Sequence, residues 1–246
     1  MAASSGKMGA ALIASRACMR SGVGLLTVNV PEDERQIIQF GLPEAMIAYR
    51  QSKLSQLESF QSLGIGPGLG TDKKSERLVK SALSANIPLV LDADALNIIS
   101  KNNWINILPK NCIITPHTKE FDRLFGEHKS KEERIQKAIK IAKILDIVIV
   151  LKDHETLIIN ANEVFINTTG NAGLAKGGSG DALAGIITAF LAQGYKAIDA
   201  ATIGVYIHGL AADLCLKDQS MESILIGDII DKLGNAFKKI TKVIKA

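Results

Sequence analysis

The feature that most constrains this chain is an alternation between short, continuous apolar runs and longer stretches with helical spacing. Runs at Leu25–Val30, Leu63–Ile65, Leu89–Asp92, Ile113–Thr115 and Ile147–Lys152 are mostly unbroken. That suits strands covered on both faces, because a half-exposed strand would alternate apolar and polar residues. Helical patterns occupy Gly9–Ser21, Lys73–Ala85, Lys119–Phe125, Lys131–Leu145, Gly180–Gln193, Ala197–Leu216 and Ile226–Ile244. Strands alternating with helices imply right-handed crossovers and an α/β fold, a mainly parallel central sheet flanked by helices on both faces. Two shorter runs, Thr156–Asn160 and Glu163–Asn167, flank Asn160-Ala161-Asn162 and predict a β-hairpin. No linker or low-complexity stretch interrupts the 246 residues, so a single domain over 1–246 is expected. With 47% hydrophobic but only 4% aromatic residues, the core must be aliphatic, which lets helices pack closely on a sheet. Residues 1–9 read as a loop between a strand and its helix, with almost no strand before it.

Several function classes are excluded or disfavoured. A net charge of +4 is too small to argue for nucleic acid. The lysines of Lys129–Lys143 and Lys238–Lys245 fall on amphipathic helical segments and read as solvated faces. Cys18, Cys112 and Cys215 are far apart, lack CxxC spacing and sit among apolar residues, as buried thiols do. No secretory signal is evident and no apolar run reads as long enough to span a bilayer, so no membrane partner and a cytoplasmic location are expected.

In an open parallel sheet, ligands bind beyond the carboxyl ends of the strands. Gly64–Gly70, Leu91-Asp92-Ala93-Asp94 and Thr115-Pro116-His117 all occupy that position. The most informative segment is Asn167–Asp181, a glycine-dense loop running into an Ala- and Ile-rich helix. Glycines let backbone amides approach a phosphate, and a helix start offers unpaired N–H groups with a favourable dipole. Asp181, in the first turn, is placed to accept a proton from a substrate hydroxyl. The competing explanation is a plain helix start, with Ser179 as N-cap and Asp181 balancing the dipole. The loop is not a Walker P-loop, since no Gly-Lys-Ser/Thr ends it.

Lys152-Asp153-His154-Glu155-Thr156 follows a buried strand. Lys152 could reach a nucleotide phosphate, or the segment could be an ordinary polar turn with His154 exposed. His117 ends a strand and Glu120 opens the next helix, so His117 could hydrogen-bond a substrate and Glu120 could order Mg²⁺ through water. A strand-end histidine beside a first-turn glutamate explains them equally well. The four histidines show no zinc spacing. Asp92 and Asp94 could include a ligand or magnesium contact, with Asp94 favoured as the N-cap of Ala95–Ser100.

These stretches, together with Gly9–Leu12, Arg20–Leu25, Thr115–Leu124, Thr169–Gly185 and Gly204–Gly209, occur in an order that resembles the NAD(P)H-hydrate dehydratase family of the ribokinase-like superfamily. The resemblance implies repair of hydrated NADH or NADPH. The 6-hydroxyl of the hydrate is phosphorylated by ADP or ATP, with ADP the expected donor, and then eliminated. It implies a Mg²⁺ requirement and a homo-oligomer. Asp181 would be the catalytic base. Lys152, Asp153, His154, Glu155, Thr156 and Gly180 would contact the nucleotide. Ala10, Ala11, Gly66, Gly68, His117 and Asp181 would line the hydrate pocket. Three departures stand out: a first strand common in the family is missing, Asp153 stands where glycine is usual, and Ser179 replaces the commoner threonine. A small-molecule kinase of the same superfamily shares the Gly-Ser-Gly-Asp element. A nucleotide-binding protein without turnover is the alternative outside catalysis.

Overall fold

The computed structural model describes residues 1–50 and 57–244, with side chains through residue 241; Lys245, at the end of the basic carboxyl-terminal run, lies outside them. In chain order the elements are α1 (Met8–Arg20), β1 (Thr27–Val30), α2 (Arg35–Gly41), β2 (Met46–Tyr49), β3 (Leu63–Ile65) and α3 (Lys73–Ser84). There follow β4 (Leu89–Leu91), α4 (Asp94–Lys101), β5 (Ile113–Ile114), α5 (Thr118–Phe125), α6 (Lys131–Leu145) and β6 (Val148–Leu151). The last elements are β7 (Leu157–Ile159), β8 (Val164–Ile166), α7 (Ser179–Ala192), α8 (Ala197–Cys215) and α9 (Ile226–Ile244).

Strands β3 to β8 form one six-stranded sheet in sequence order. Pairing is parallel from β3 through β6 and antiparallel for β7 and β8, the hairpin expected around Asn160. The Asn160 side-chain oxygen closes that turn by accepting from the amides of Asn162 (2.8 Å) and Glu163 (2.7 Å). The central strands are buried on both faces: all of β4, β5 and β6 is inaccessible, which is why their sequences do not alternate. Strands β1 and β2 form a separate parallel pair.

Two aliphatic layers sandwich the sheet. On one side α1, α7, α8 and α9 pack against Val90, Ile113, Val148 and Val150. On the other, α3, α4, α5 and α6 pack against Ile65, Leu91, Ile114 and Ile149. The alternation of inward residues along each strand divides the core between the two layers. All three cysteines are free and buried, and burial pushes the Cys18 and Cys112 thiols up to about 12, so neither is a reactive thiolate.

Three expectations need correction. Met46–Tyr49 and Arg35–Gly41 form elements the periodicity did not reveal, because both are short and half exposed. Helix α8, at 19 residues, is long and apolar enough to cross a membrane by length and composition. Here 67% of that stretch is buried within the fold, as a core helix between α7 and α9 would be.

Close packing of α1 on α7 depends on one residue. A Cβ on Gly185 would lie 2.1 Å from the Ala14 carbonyl oxygen, so the helices meet backbone to side-chain-free backbone. Because that obstacle is main chain, it cannot rotate away. Gly185→Ala is expected to lower stability by about 2–3 kcal/mol, as overpacking does; urea denaturation followed by circular dichroism measures it.

Candidate active site

The carboxyl ends of the four parallel strands deliver consecutive elements of one crevice: Gly66 after β3, Asp92 after β4, Thr115 after β5 and Lys152 after β6. At its centre the Lys152 ammonium donates to Asp92 Oδ1 at 2.9 Å, and the Thr115 hydroxyl donates to the same oxygen at 2.6 Å. Asp92 is 1% exposed, whereas the Lys152 side chain keeps a 20% opening. Burial opposes the charge on Lys152, but Asp92, Glu120 and Asp181 outweigh it and raise its pKa, so the lysine is a held cation. The Lys152 backbone amide donates to the Pro116 carbonyl (2.9 Å), and a parallel bridge pairs Lys152 with His117. The turn containing Lys152 is thereby locked to the Thr115–His117 strand end.

Helix α7 points its amino end at this pair. A Cβ on Gly180 would sit 3.2 Å from Lys152 Nζ and 3.7 Å from Asp92 Oδ2, so the helix start lies directly against the ion pair. The N-cap is Gly178, in a left-handed conformation (φ 94°) with no capping side chain, rather than Ser179. The first helical bond runs from the Ala182 amide to the Gly178 carbonyl. The Gly180 and Asp181 amides therefore precede the helical ladder and are available to an anion. Asp181 is raised to about 6, first by burial, then by Asp92 and Asp94, with Lys152 opposing.

Around this centre the Gly64–Gly70 loop is tied down by main-chain geometry. Gly66 (φ 132°) would drive a Cβ to 1.8 Å from the Asp92 carbonyl oxygen. Asp94 does not cap α4, whose N-cap is Ala93. Instead its carboxylate accepts from the Gly70 amide at 2.8 Å and faces Lys7 at 3.7 Å, pinning the glycine loop to the start of α4. Ala93 is held at φ 46°, a conformation unusual for a non-glycine residue, between the two aspartates.

The structure brings together Lys152, Gly180, Asp181, Gly66 and, through the strand-end bridge, His117. Ala10 lies beside Gly68, whose Cβ position is 3.0 Å from the Ala10 methyl. Ala11 is fully buried in the cluster of Met8, Val28 and Ile38. His117 and Glu120 form a reciprocal capping box on α5. Nδ1 of His117 accepts from the Lys119 and Glu120 amides, while Glu120 Oε2 accepts from the His117 amide at 2.9 Å. Nε2 of the half-exposed His117 faces Glu120 Oε1 at 3.6 Å.

The Asp153, His154 and Glu155 side chains are exposed. Asp153 accepts from the His154 amide, and Glu155 pairs with Lys131 at 2.8 Å. The Thr156 carbonyl accepts from the Asn167 amide. Sequence reasoning missed Thr115 as a partner of Asp92 and gave no role to His208. His208 is 5% exposed on α8 and feels the Lys152 charge. Burial first, then Lys152, lowers it to about 4, so it is neutral, and its Nε2 lacks a partner among the described residues. Only the fold places α8 under Lys152, so no local signal could have found it.

The Lys152–Asp92 pair should matter unequally by partner. Asp92→Ala removes the carboxylate that hydrogen-bonds a largely buried cation and is expected to cost about 3 kcal/mol, with Asp92→Asn costing less. Thermal unfolding of both variants checks the order.

Comparisons with known proteins give the family. The profile of the NAD(P)H-hydrate dehydratase family matches residues 1–235. The chain is 35% identical over 249 residues to the ADP-dependent (S)-NAD(P)H-hydrate dehydratase of Neisseria meningitidis, covering 97% of this chain and 84% of that protein. It is 33% identical over 260 residues to the bifunctional NAD(P)H-hydrate repair enzyme of Moorella thermoacetica, covering 98% of this chain but 49% of that one. The chain thus spans about half the length of its bifunctional relatives. Among solved structures, the ADP/ATP-dependent NAD(P)H-hydrate dehydratase of Bacillus subtilis, co-crystallized with ATP and Mg²⁺, superposes with a TM-score of 0.86 at 33% identity, covering 97% of this chain and 87% of that one. Escherichia coli phosphofructokinase-2, at 16% identity and a TM-score of 0.58 over 92% of this chain and 86% of that one, shares the fold alone. A ribokinase-like fold with a bare glycine-lined helix start beside a clamped lysine, matched along nearly its whole length by these relatives, makes this chain a member of the NAD(P)H-hydrate dehydratase family.

Proposed function

We propose that this chain uses ADP or ATP to dehydrate the hydrates of NADH and NADPH, returning the reduced cofactors. The observation that carries the reading is the meeting of three groups at one point: uncapped amides of α7, the held cation Lys152, and Asp181 in the first turn. The amides and Lys152 attract the phosphoryl group from two directions, and both interactions strengthen as charge develops on it. Asp181 takes the proton of the 6-hydroxyl as that oxygen bonds to phosphorus and the bond to the nucleotide leaving oxygen breaks. Departure of the phosphate with the former hydroxyl oxygen, together with loss of a proton from the adjacent ring carbon, then restores the double bond. Gly66, Gly68 and Ala10 shape the floor of the hydrate side, with His117 Nε2 as a hydrogen-bonding group at its edge.

Mg²⁺, when bound, offsets the charge of the nucleotide phosphates. No group of three or more His, Cys, Asp or Glu side chains that could hold a metal occurs among the described residues. The chemistry fits an ion held largely by phosphate oxygens and water, with Glu120 as an outer-sphere partner. Asp153–Glu155 would meet the nucleotide through the backbone of their turn, since their side chains face solvent or each other's neighbours. Such repair fits the cytoplasm, where nicotinamide cofactors turn over.

The chain incubated with NADH hydrate, Mg²⁺ and either nucleotide should regain reduced-nicotinamide absorbance. Asp181→Asn should lower the rate by about 10²–10⁴-fold, the usual weight of a general base. A stable phosphorylated product without recovery would instead mark a kinase.

The pH dependence has a defined sign. Asp181 acts ionised and is held at about 6, so kcat/KM should rise with pH through that value and flatten above it. The same elevation, from 3.8 to about 6, favours the folded state at low pH, and that contribution is lost as pH rises through about 6. Asp181→Asn should therefore be more stable than the parent at pH 7.5, by about 1–2 kcal/mol, while being the less active protein. Thermal unfolding at pH 5 and 7.5 reads that divergence.

A further inference from the structure

The glycine-dense stretch that leads into α7 is unevenly secured. Its first part is bonded to α8. The Thr169 hydroxyl donates to the Tyr206 carbonyl at 2.9 Å, and Asp213 accepts from the Gly170 amide (2.9 Å) and the Asn171 side chain (3.0 Å). Asn171 passes that hold on by accepting from the Gly173 amide at 2.9 Å, within a short 3₁₀ turn at Ala172–Leu174. The part nearer α7 has less to fix it. A Cβ on Gly177 would meet nothing within 4 Å, and Gly178 sits at φ 94°. Two adjacent glycines lose much backbone freedom on ordering. The Ser179 and Ala182 amides bond only to the nearby carbonyls of Lys176 and Gly178.

One side chain reaches out of this part. Lys176, half-buried, donates through Nζ to the Glu222 carbonyl at 2.5 Å and the Ile224 carbonyl at 2.6 Å. Among the described residues, these are the side-chain hydrogen bonds that tie 174–180 to the rest of the fold. Residues 221–226, which Lys176 grips, run alongside the loop. A Cβ on Gly173 would lie 3.1 Å from an Ile224 methyl and 3.2 Å from the Met221 carbonyl oxygen, and one on Gly178 would lie 3.6 Å from Ile226. That neighbouring stretch is anchored in turn. Asp228, in the first turn of α9, accepts from the Leu225 amide at 2.8 Å and from the Gln219 side chain at 2.9 Å. Lys176 therefore joins a loosely held segment to a fixed one, through bonds strengthened by its charge.

We propose that Lys176 is a positioning residue, whose ammonium latches the glycine loop to residues 222–224 and holds the Gly180 and Asp181 amides ready for a nucleotide phosphate. The inference rests on the nucleotide-dependent reading of this site. A latch acts before the nucleotide arrives. Its loss adds the same ordering cost to nucleotide binding and to the transition state, so binding weakens while turnover of the bound complex changes much less.

Two variants of the full chain test this. Lys176→Met keeps the aliphatic stem and removes the donors, whereas Lys176→Arg keeps both charge and donors. Calorimetric titration with ADP and Mg²⁺ should give a Kd about 10-fold higher for Lys176→Met, the weight of a hydrogen bond to a charged group. Lys176→Arg should recover most of that loss. The nucleotide KM should rise in step, with kcat falling by less than about threefold. In nucleotide-free Lys176→Met, hydrogen exchange should quicken at Ser179 and Ala182 but not at Gly170, which Asp213 holds. Unchanged exchange at Ser179 and Ala182 would overturn the latch, because a lysine that met the phosphate directly would lower affinity without loosening the loop. Quickened exchange with parental ADP affinity would overturn it as well, marking a tether with no bearing on the site. If the parent binds ADP yet returns no reduced nicotinamide, the dehydratase reading fails. Weaker ADP binding and faster exchange in Lys176→Met would still support the latch.

Discussion

A lysine and an aspartate, drawn out of water at the carboxyl edge of a parallel sheet, set the terms for everything around them. Lys152 and Asp92 lie 2.9 Å apart, and the amino end of α7 is close enough that a Cβ on Gly180 would approach the lysine nitrogen to 3.2 Å. A helix start carries roughly half a positive charge, so lysine and helix repel each other at that distance. Asp92 offsets the repulsion from below, with Thr115 holding its carboxylate in place. What remains on the open side is a concentrated positive potential with unbonded amides, the condition for receiving a phosphate. Asp181 sits within the same field and keeps a pKa of about 6 because burial and Asp92 outweigh Lys152. The pair thus serves binding and proton transfer together.

Backbone approach is the second requirement. Gly66 lets β3 end against the Asp92 carbonyl, Gly180 lets α7 reach the ion pair, and Gly185 lets α1 lie on α7. At Gly66 and Gly185 the obstacle to a Cβ is main chain, whereas at Gly180 it is the tip of the lysine side chain. The aspartates use that closeness differently. Asp92 binds a side chain at the end of β6, the next strand but one, whereas Asp94 binds the backbone of the glycine loop. The strained Ala93 between them lets two residues so near in sequence serve opposite walls.

Much of this was legible in the sequence because it rests on local chemistry. Strands β3 to β6 announced themselves as unbroken apolar runs, and the hairpin by its Asn-rich turn. The glycine-dense approach to Asp181 marked a helix start suited to an anion. Less visible were β2 and α2, whose half-exposed residues carry no clear period. Asp94 resembled a cap because aspartate before a helical run usually is one; the fold gave its carboxylate a competing partner in the Gly70 amide. His117 and Glu120 read as possible ligands, and much of their bonding capacity goes to the capping box.

The sequence by itself determined the order of strands and helices, the aliphatic core and the position of Asp181 in the first turn of α7. These follow from residue spacing and turn chemistry, which act over a few residues. Only the tertiary structure decided that Asp92 belongs to Lys152, 60 residues away, and that a neutral His208 lies close enough to feel the same cation. Such pairings depend on which strands become neighbours and how closely helices can settle on them. Long-range packing sets that, and no local pattern records it.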